Sequence, residues 1–263
     1  MRIAVCVKQV PDTEGRLRLA ADGRWIDDEE LQMVVNESDE YALEEALQIA
    51  ERTGGEVVVF GLGPARVAEA LRKCLALGAA RAVHLLDDAF AGGDAMSTGR
   101  ALAAAVAREE FDLVLTGSQS DDDGFGATGS VVAACLGWPH AWLVMGVEIE
   151  DGGTAKVTRE MESGMNEVLR LRLPAVLEIQ AGINNPRYAS LKGIMQAKRK
   201  EIAAVAAADL GLDPGAVGAA GATLEVLSVA FPAAVGGAQM LEGDAATAAK
   251  ALAEALQKEV GVI

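Results

Sequence analysis

Four short runs are apolar almost without interruption: 2–7 (RIAVCV), 56–61 (EVVVFG), 82–86 (AVHLL) and 112–116 (DLVLT). A strand with one wet face alternates, whereas a strand apolar at consecutive positions is covered on both faces, as in a parallel sheet. Between the runs lie 39–51, 64–77 and 95–110, each with the 3.6-residue period of an amphipathic helix. Ser38 is placed to cap the first of these, and Pro64 to open the second at its first helical position. The pattern predicts a βαβ series, and so an α/β fold with an open parallel sheet wrapped by helices.

Two stretches depart from the series. Residues 8–35 are too long for an ordinary connection and contain LRLAADGRWIDD, which alternates about an Asp-Gly turn like a small hairpin. This excursion leaves the carboxyl end of the first strand, where such sheets bind ligands. After Pro139, WLVMGVEIEDGGTAKVTREM reads as two strands about an Asp-Gly-Gly turn, with a third run at 168–173, so an antiparallel extension is expected. The division expected is an α/β domain over 1–182 and an arm with a C-terminal segment over 183–263. An amphipathic helix at 244–260 closes the chain.

A formal net charge of -16 excludes nucleic acid as the main partner and favours a protein partner with a complementary patch. Cys6, Cys74 and Cys135 are odd in number, widely spaced and set among apolar residues, which predicts buried thiols rather than a disulfide framework or metal site. His84 and His140 lack a ligand at helical spacing, so no metal is expected. The first residues pass straight from Met1-Arg2 into a strand, with no apolar run long enough for a signal peptide or a membrane span, which predicts a cytoplasmic protein.

Two segments carry the chemistry. Residues 117–129, GSQSDDDGFGATG, follow a strand and open a helix. Such a turn lets backbone N–H groups approach a phosphate at a helix N-terminus, although it is neither GxGxxG nor a P-loop and contains no lysine. The plainer reading is a polar loop whose acids cap a helix. Residues 184–200, NNPRYASLKGIMQAKRK, are led by Pro186 and hold five basic residues from Arg187 onward and no acid, a local inversion of charge that suits docking. The plainer reading here is a solvated loop and short helix.

That arm, preceded by LRLPAVLEI, resembles the signature of the electron transfer flavoprotein beta subunit. VCVKQVPDT at the start, NESDEYALEEAL near residue 40 and the 117–129 loop fall in the family's order, with the resemblance weakest between 203 and 226. It implies an adenine-nucleotide-binding (alpha-hydrolase-like) sheet and no catalysis by this chain, an electron carrier subunit. AMP would lie against Cys6, Asn36, Glu37, Ser38, Asp39, Leu62, Gly117, Ser118, Gln119, Ser120, Asp121, Asp122, Asp123, Gly124, Phe125, Gly126, Ala127 and Thr128. FAD would be shared with, and mostly held by, an alpha subunit, with Thr13 nearest the flavin and Glu160 pairing with an alpha-subunit arginine. Pro186, Arg187, Tyr188 and Leu191 would dock acyl-CoA or other dehydrogenases, Leu191 as the anchor, and electrons would pass to a quinone oxidoreductase. The C-terminal helix would pack on the alpha subunit or on this chain's own core.

Two alternatives stand beside this reading. Electron-bifurcating relatives hold a second FAD in the same site and carry a loop like D-G-D-T-A-Q-V-G; here 122–129 reads DDGFGATG, in which Thr128-Gly129 resembles the AMP type and 124–126 depart from both. A stand-alone adenine-nucleotide-binding regulatory domain would share the sheet and lack the arm.

Overall fold

The computed structural model describes the chain except for residues 13, 14, 16, 29, 234–236, 262 and 263, and the side chains of 259 and 260. In chain order the elements are β1 (Arg2–Cys6), β2 (Gln9–Pro11), β3 (Met33–Val35), α1 (Glu37–Thr53), β4 (Glu56–Leu62), α2 (Val67–Leu77), β5 (Arg81–Leu85), α3 (Ala95–Val106), β6 (Leu113–Gly117) and α4 (Thr128–Leu136). There follow β7 (His140–Glu150), β8 (Thr154–Glu160), β9 (Asn166–Arg172), β10 (Ala175–Ile179), α5 (Leu191–Ala197), β11 (Ile202–Val205), α6 (Gly218–Gly221) and α7 (Ala245–Ala255).

One sheet runs β11-β5-β4-β1-β6-β10-β7-β8-β9, parallel from β11 through β7 and antiparallel over β7-β8-β9. The inner parallel strands β5, β4, β1, β6 and β10 are covered on both faces, as their nearly unbroken apolar character requires. Ile3 and Val5 of β1 join Leu43, Leu47, Val59, Leu71 and Leu115 under α1 and α2. Ala4 and Cys6 face the other way, with Phe60, Leu102, Val106, Val114 and Val132 under α3 and α4. Truncating one such fully buried leucine to alanine costs about 2–5 kcal/mol.

The antiparallel meander is as expected, joined at 151–153 and carrying β9 as its third strand. The hairpin expected over 17–28 is reduced, among the described residues, to a single bridge, Leu19 to Ile26. Four local expectations are corrected. Cys135, expected to be a buried thiol, is exposed. Ser38 lies inside α1, and Asn36 holds the N-cap position. Pro64 precedes α2 by a turn, its carbonyl accepting from the Val67 amide, so the helix opens at Val67. Residues 202–205, beyond the 182/183 division, add β11 to the far edge of the same sheet, beside β5.

The C-terminal stretch differs in kind. Leu224, Leu227, Phe231 and Met240 are 57%, 74%, 57% and 83% exposed, and α7 buries no residue. Asp94, which caps α3 through the Ser97 amide, also accepts from the Thr223 and Leu224 amides and so fastens the start of this tail.

Candidate nucleotide site and docking arm

From β1 the chain builds outward in both directions, to β4 on one side and to β6 on the other. A crevice at the carboxyl ends of strands beside such a switch point is where open α/β sheets take ligands. β1, β4 and β6 end there in Cys6, Leu62 and Gly117.

The helix α1 enters this edge so closely that residue 117 must be glycine: a Cβ there would lie 2.2 Å from Ser38 Oγ and 2.4 Å from Asp39 Oδ1. The Gly117 amide donates to Asp39 Oδ1 at 2.8 Å and the Lys8 amide to Oδ2 at 2.7 Å. Asp39 thereby ties the ends of β6 and β1 to the first turn of α1. Burial pushes its carboxyl up to about 7, against the pull of those two amides.

The loop that follows is stapled to the same turn. Asn36 Nδ2 donates to the Gln119 carbonyl at 2.9 Å and to Ser38 Oγ at 3.0 Å, while its Oδ1 accepts from the Asp121 amide at 2.9 Å. Ser38 Oγ donates to the Gln119 carbonyl at 2.6 Å, and the exposed Glu37 gives its amide to Asp121 Oδ2 at 3.3 Å. The lysine absent from the loop arrives from the end of β1. Lys8 Nζ donates to Ser120 Oγ at 3.2 Å, Asp122 Oδ1 at 2.6 Å and Asp123 Oδ2 at 2.7 Å. Burial opposes the Lys8 charge, yet the two carboxylates outweigh it and raise its pKa; Asp123, also penalised by burial, is held low by Lys8 and Ser120. The Lys8 side chain is 40% exposed, so each pair is worth about 1 kcal/mol at most.

Ser118 turns away, its hydroxyl on Gln180 Oε1. Gly124 and Gly126 take φ of 65° and 58°, which suits glycine, and Phe125 between them is 48% exposed. Ala127 precedes α4 without any side-chain cap, so Thr128 opens the helix with first-turn amides that a phosphate fits. Gly129 is required beneath them: a Cβ would lie 2.5 Å from Glu178 Cγ.

The arm crosses α1 and α2 pinned at both ends. Asn184 Nδ2 donates to the Tyr41 carbonyl at 3.1 Å. Arg187 gives Nε to Glu44 Oε2 at 2.7 Å and Nη2 to Glu44 Oε1 at 3.0 Å, and its guanidinium also reaches Glu51. At the other end Arg72 Nη1 donates to the Ala197 and Lys200 carbonyls, and Lys200 Nζ to those of Leu75 and Ala79. Gly193 lies on α2, where a Cβ would be 2.3 Å from the Ala76 carbonyl oxygen. Between the pins Tyr188 is 98% and Leu191 83% exposed, and Ile194 and Met195 extend the apolar face of α5.

A family profile for the electron transfer flavoprotein domain matches residues 24–210. The chain is 45% identical over 246 residues to the electron transfer flavoprotein subunit beta of Methylophilus methylotrophus, covering 92% of this chain and 93% of that one. It is 41% identical over 232 residues to the subunit of the same description from Mycobacterium tuberculosis, covering 86% of each. It is also 39% identical over 245 residues, 92% of each chain, to subunit CarD of the caffeyl-CoA reductase-Etf complex of Acetobacterium woodii. The chain belongs to the electron transfer flavoprotein beta-subunit family.

Within this electron transfer flavoprotein chain, Glu160 ends β8, exposed and without an ion-pair partner among the described residues. Thr13 lies outside the described residues. Pro186 is partly buried just before Arg187. Of the basic cluster at 198–200, Lys200 spends its charge on the end of α2 and is pulled down by burial, while Lys198 and Arg199 are exposed.

A further cluster was not anticipated. Glu178, fully buried in β10, accepts from Ser130 Oγ at 2.6 Å and lies 2.8 Å from His140 Nε2, while its other oxygen has no partner among the described residues. Burial raises its pKa against those two contacts. The three residues come from α4, β7 and β10, so no sequence spacing joins them; a glutamate inside the apolar run AVLEI was the one available signal. Ser130 and Glu178 meet the same imidazole nitrogen, which is not the geometry of a nucleophile relay.

Proposed function

We propose that this chain is the beta half of a heterodimeric electron carrier in the cytosol. It holds AMP as a structural ligand in the crevice between Cys6, Leu62 and the loop from Gly117 to Thr128. Its arm docks dehydrogenases, acyl-CoA dehydrogenases among them, with Leu191 as the anchor, and an alpha subunit seated on it carries FAD, from which electrons pass to a quinone oxidoreductase. FAD supplies one- and two-electron chemistry when bound. This chain's own residues bind, position and dock.

A monophosphate suits the crevice. The uncapped first turn of α4 offers amides, and the loop's one cation among its described contacts, Lys8, is already shared by Asp122 and Asp123, leaving little to meet a pyrophosphate. Asn36 and Ser38 are consumed in holding the loop, so their part in binding is to shape it rather than to touch the ribose. Glu160 faces solvent, available to an alpha-subunit arginine in a pair worth about 0–1 kcal/mol, suited to a contact that forms and breaks.

The observation that carries the heterodimer is the tail. A free soluble chain seldom leaves residues such as Leu227, Phe231 and Met240 uncovered together with a helix that buries nothing, and a partner chain supplies the missing cover. Deleting 224–263 from a co-expressed pair should abolish co-purification with the alpha chain, and with it the flavin colour. The sheet domain should stay folded, because both of its core clusters end before residue 218. A truncated chain that still yields a stoichiometric yellow complex would refute this reading.

A further inference from the structure

The arm's exposed anchors follow directly upon an arginine that faces inward. Arg187 places its backbone amide, Nε and Nη2 on Glu44, whose side chain is only 6% exposed, and turns Nη1 and Nη2 toward Glu51. Glu44 and Glu51 are seven residues apart, two turns along one face of α1, so a single planar fork spans both. Burial opposes the charge on Glu44, and the hydrogen bonds from Arg187 and Gln48 together outweigh it, holding the carboxyl low. Arg187 is raised in turn by the hydrogen bonds to Glu51 and Glu44. Gln48, one turn on from Glu44, donates to Glu44 Oε1 at 2.8 Å and helps to fix the carboxylate.

We propose that the Arg187–Glu44–Glu51 clamp positions the docking arm: it holds Tyr188 and Leu191 in one presented conformation, so that a partner dehydrogenase binds a preformed loop and need not order a mobile one. The inference rests on the docking reading above and deepens it. Chain geometry supports it, because three residues, 188–190, separate the clamp from the first residue of α5, and α5 is itself fixed on α2 by Gly193, Arg72 and Lys200. A bridge so short, fastened at both ends, has little freedom to lose on binding. Ordering costs are what preorganisation removes. Arg187 and Glu44 are thus positioning residues, acting through Leu191.

The test uses the assembled heterodimer with its flavin and nucleotide, and an acyl-CoA dehydrogenase reduced by its acyl-CoA substrate as the electron donor. Four variants are compared: Glu44→Gln, the milder Glu51→Gln, Arg187→Lys and Leu191→Ala. With Glu44→Gln, amide exchange over 187–195 should quicken about tenfold and the KM for the reduced dehydrogenase should rise about tenfold. The kcat, flavin spectrum and nucleotide content should be unchanged. Glu51→Gln should shift exchange and KM together by a smaller factor, and Arg187→Lys, which keeps the charge and loses the fork, should fall between. Leu191→Ala should raise KM and leave exchange as it was. If Glu44→Gln and Glu51→Gln quicken exchange while KM stays at its parent value, and Leu191→Ala still raises it, the clamp is only structural and the proposal fails while docking stands. Unchanged exchange in both glutamate variants likewise overturns it. A Leu191→Ala protein with normal KM removes the docking reading itself, and the clamp's role with it.

Discussion

Replacing Gly117 with alanine tests how the candidate site is held. The added Cβ would lie 2.2 Å from Ser38 Oγ, 2.4 Å from Asp39 Oδ1 and 2.9 Å from the Asp39 backbone nitrogen. The Ser38 hydroxyl can swing aside, but the helical backbone cannot, so β6 and α1 must separate. Forcing a methyl into a packed interior costs about 1–3 kcal/mol. The same movement stretches the 2.8 Å bond from the Gly117 amide to the buried Asp39 carboxylate, and a bond of that kind is worth about 1.5–3 kcal/mol. Together the loss is about 2.5–6 kcal/mol, and at about 2–4 °C per kcal/mol the Tm should fall by about 10 °C. Calorimetry of the purified heterodimer measures this, with Gly146→Ala as the control. There the nearest atom to the new Cβ is 3.6 Å away in Thr158, an ordinary contact, and the Tm should move by about a degree. Nucleotide retained after gel filtration should drop with Gly117→Ala and not with the control. If Gly117→Ala melts with the parent and keeps its nucleotide, α1 does not press on β6 as described.

Two further outcomes follow from buried groups. Asp39 sits at about 7 folded against an ordinary 3.8, so between about pH 4 and 7 the folded chain holds a proton that the unfolded chain has lost, and stability should decline as pH rises through that window. The Asp39→Asn variant should lack this decline in pH-dependent urea melts; parallel curves for the two proteins would contradict the assignment. Burial pushes the Cys6 and Cys74 thiols up to about 12, whereas Cys135 is exposed, so a thiol reagent at pH 8 should modify one of the three cysteines in the native chain and all three in denaturant. Rapid native modification of a second thiol would refute that burial.

The fold was legible where burial on both faces writes itself into consecutive residues, as in β1, β4 and β6, and where a turn has its own chemistry, as at Asp151-Gly152-Gly153. It was not legible in β11, where IAAV at a half-exposed sheet edge carries two alanines and no pattern, nor in the placing of β10 between β6 and β7, a non-local choice. The candidate loop could be located because glycines and acids cluster between a strand and a helix. Its supports were hidden: Lys8 comes from 112 residues away in sequence to reach Ser120, and Glu178, His140 and Ser130 come from three segments. Ser38 looked like a cap because serine before a helical period usually is one, yet a tertiary acceptor, the Gln119 carbonyl, claimed its hydroxyl. Lys200 reads in the sequence as docking charge alongside Lys198 and Arg199, yet its ammonium is taken by the carbonyls that end α2.

The most direct measurement is of the bound nucleotide. The heterodimer is purified, denatured to release its small molecules, and the extract is identified and quantified by mass. One FAD and one AMP are expected for each pair of chains, with AMP selectively lost from a Thr128→Val, Gly126→Leu double variant. Two FAD per pair with no AMP, or a double variant that keeps its full complement, would contradict that expectation.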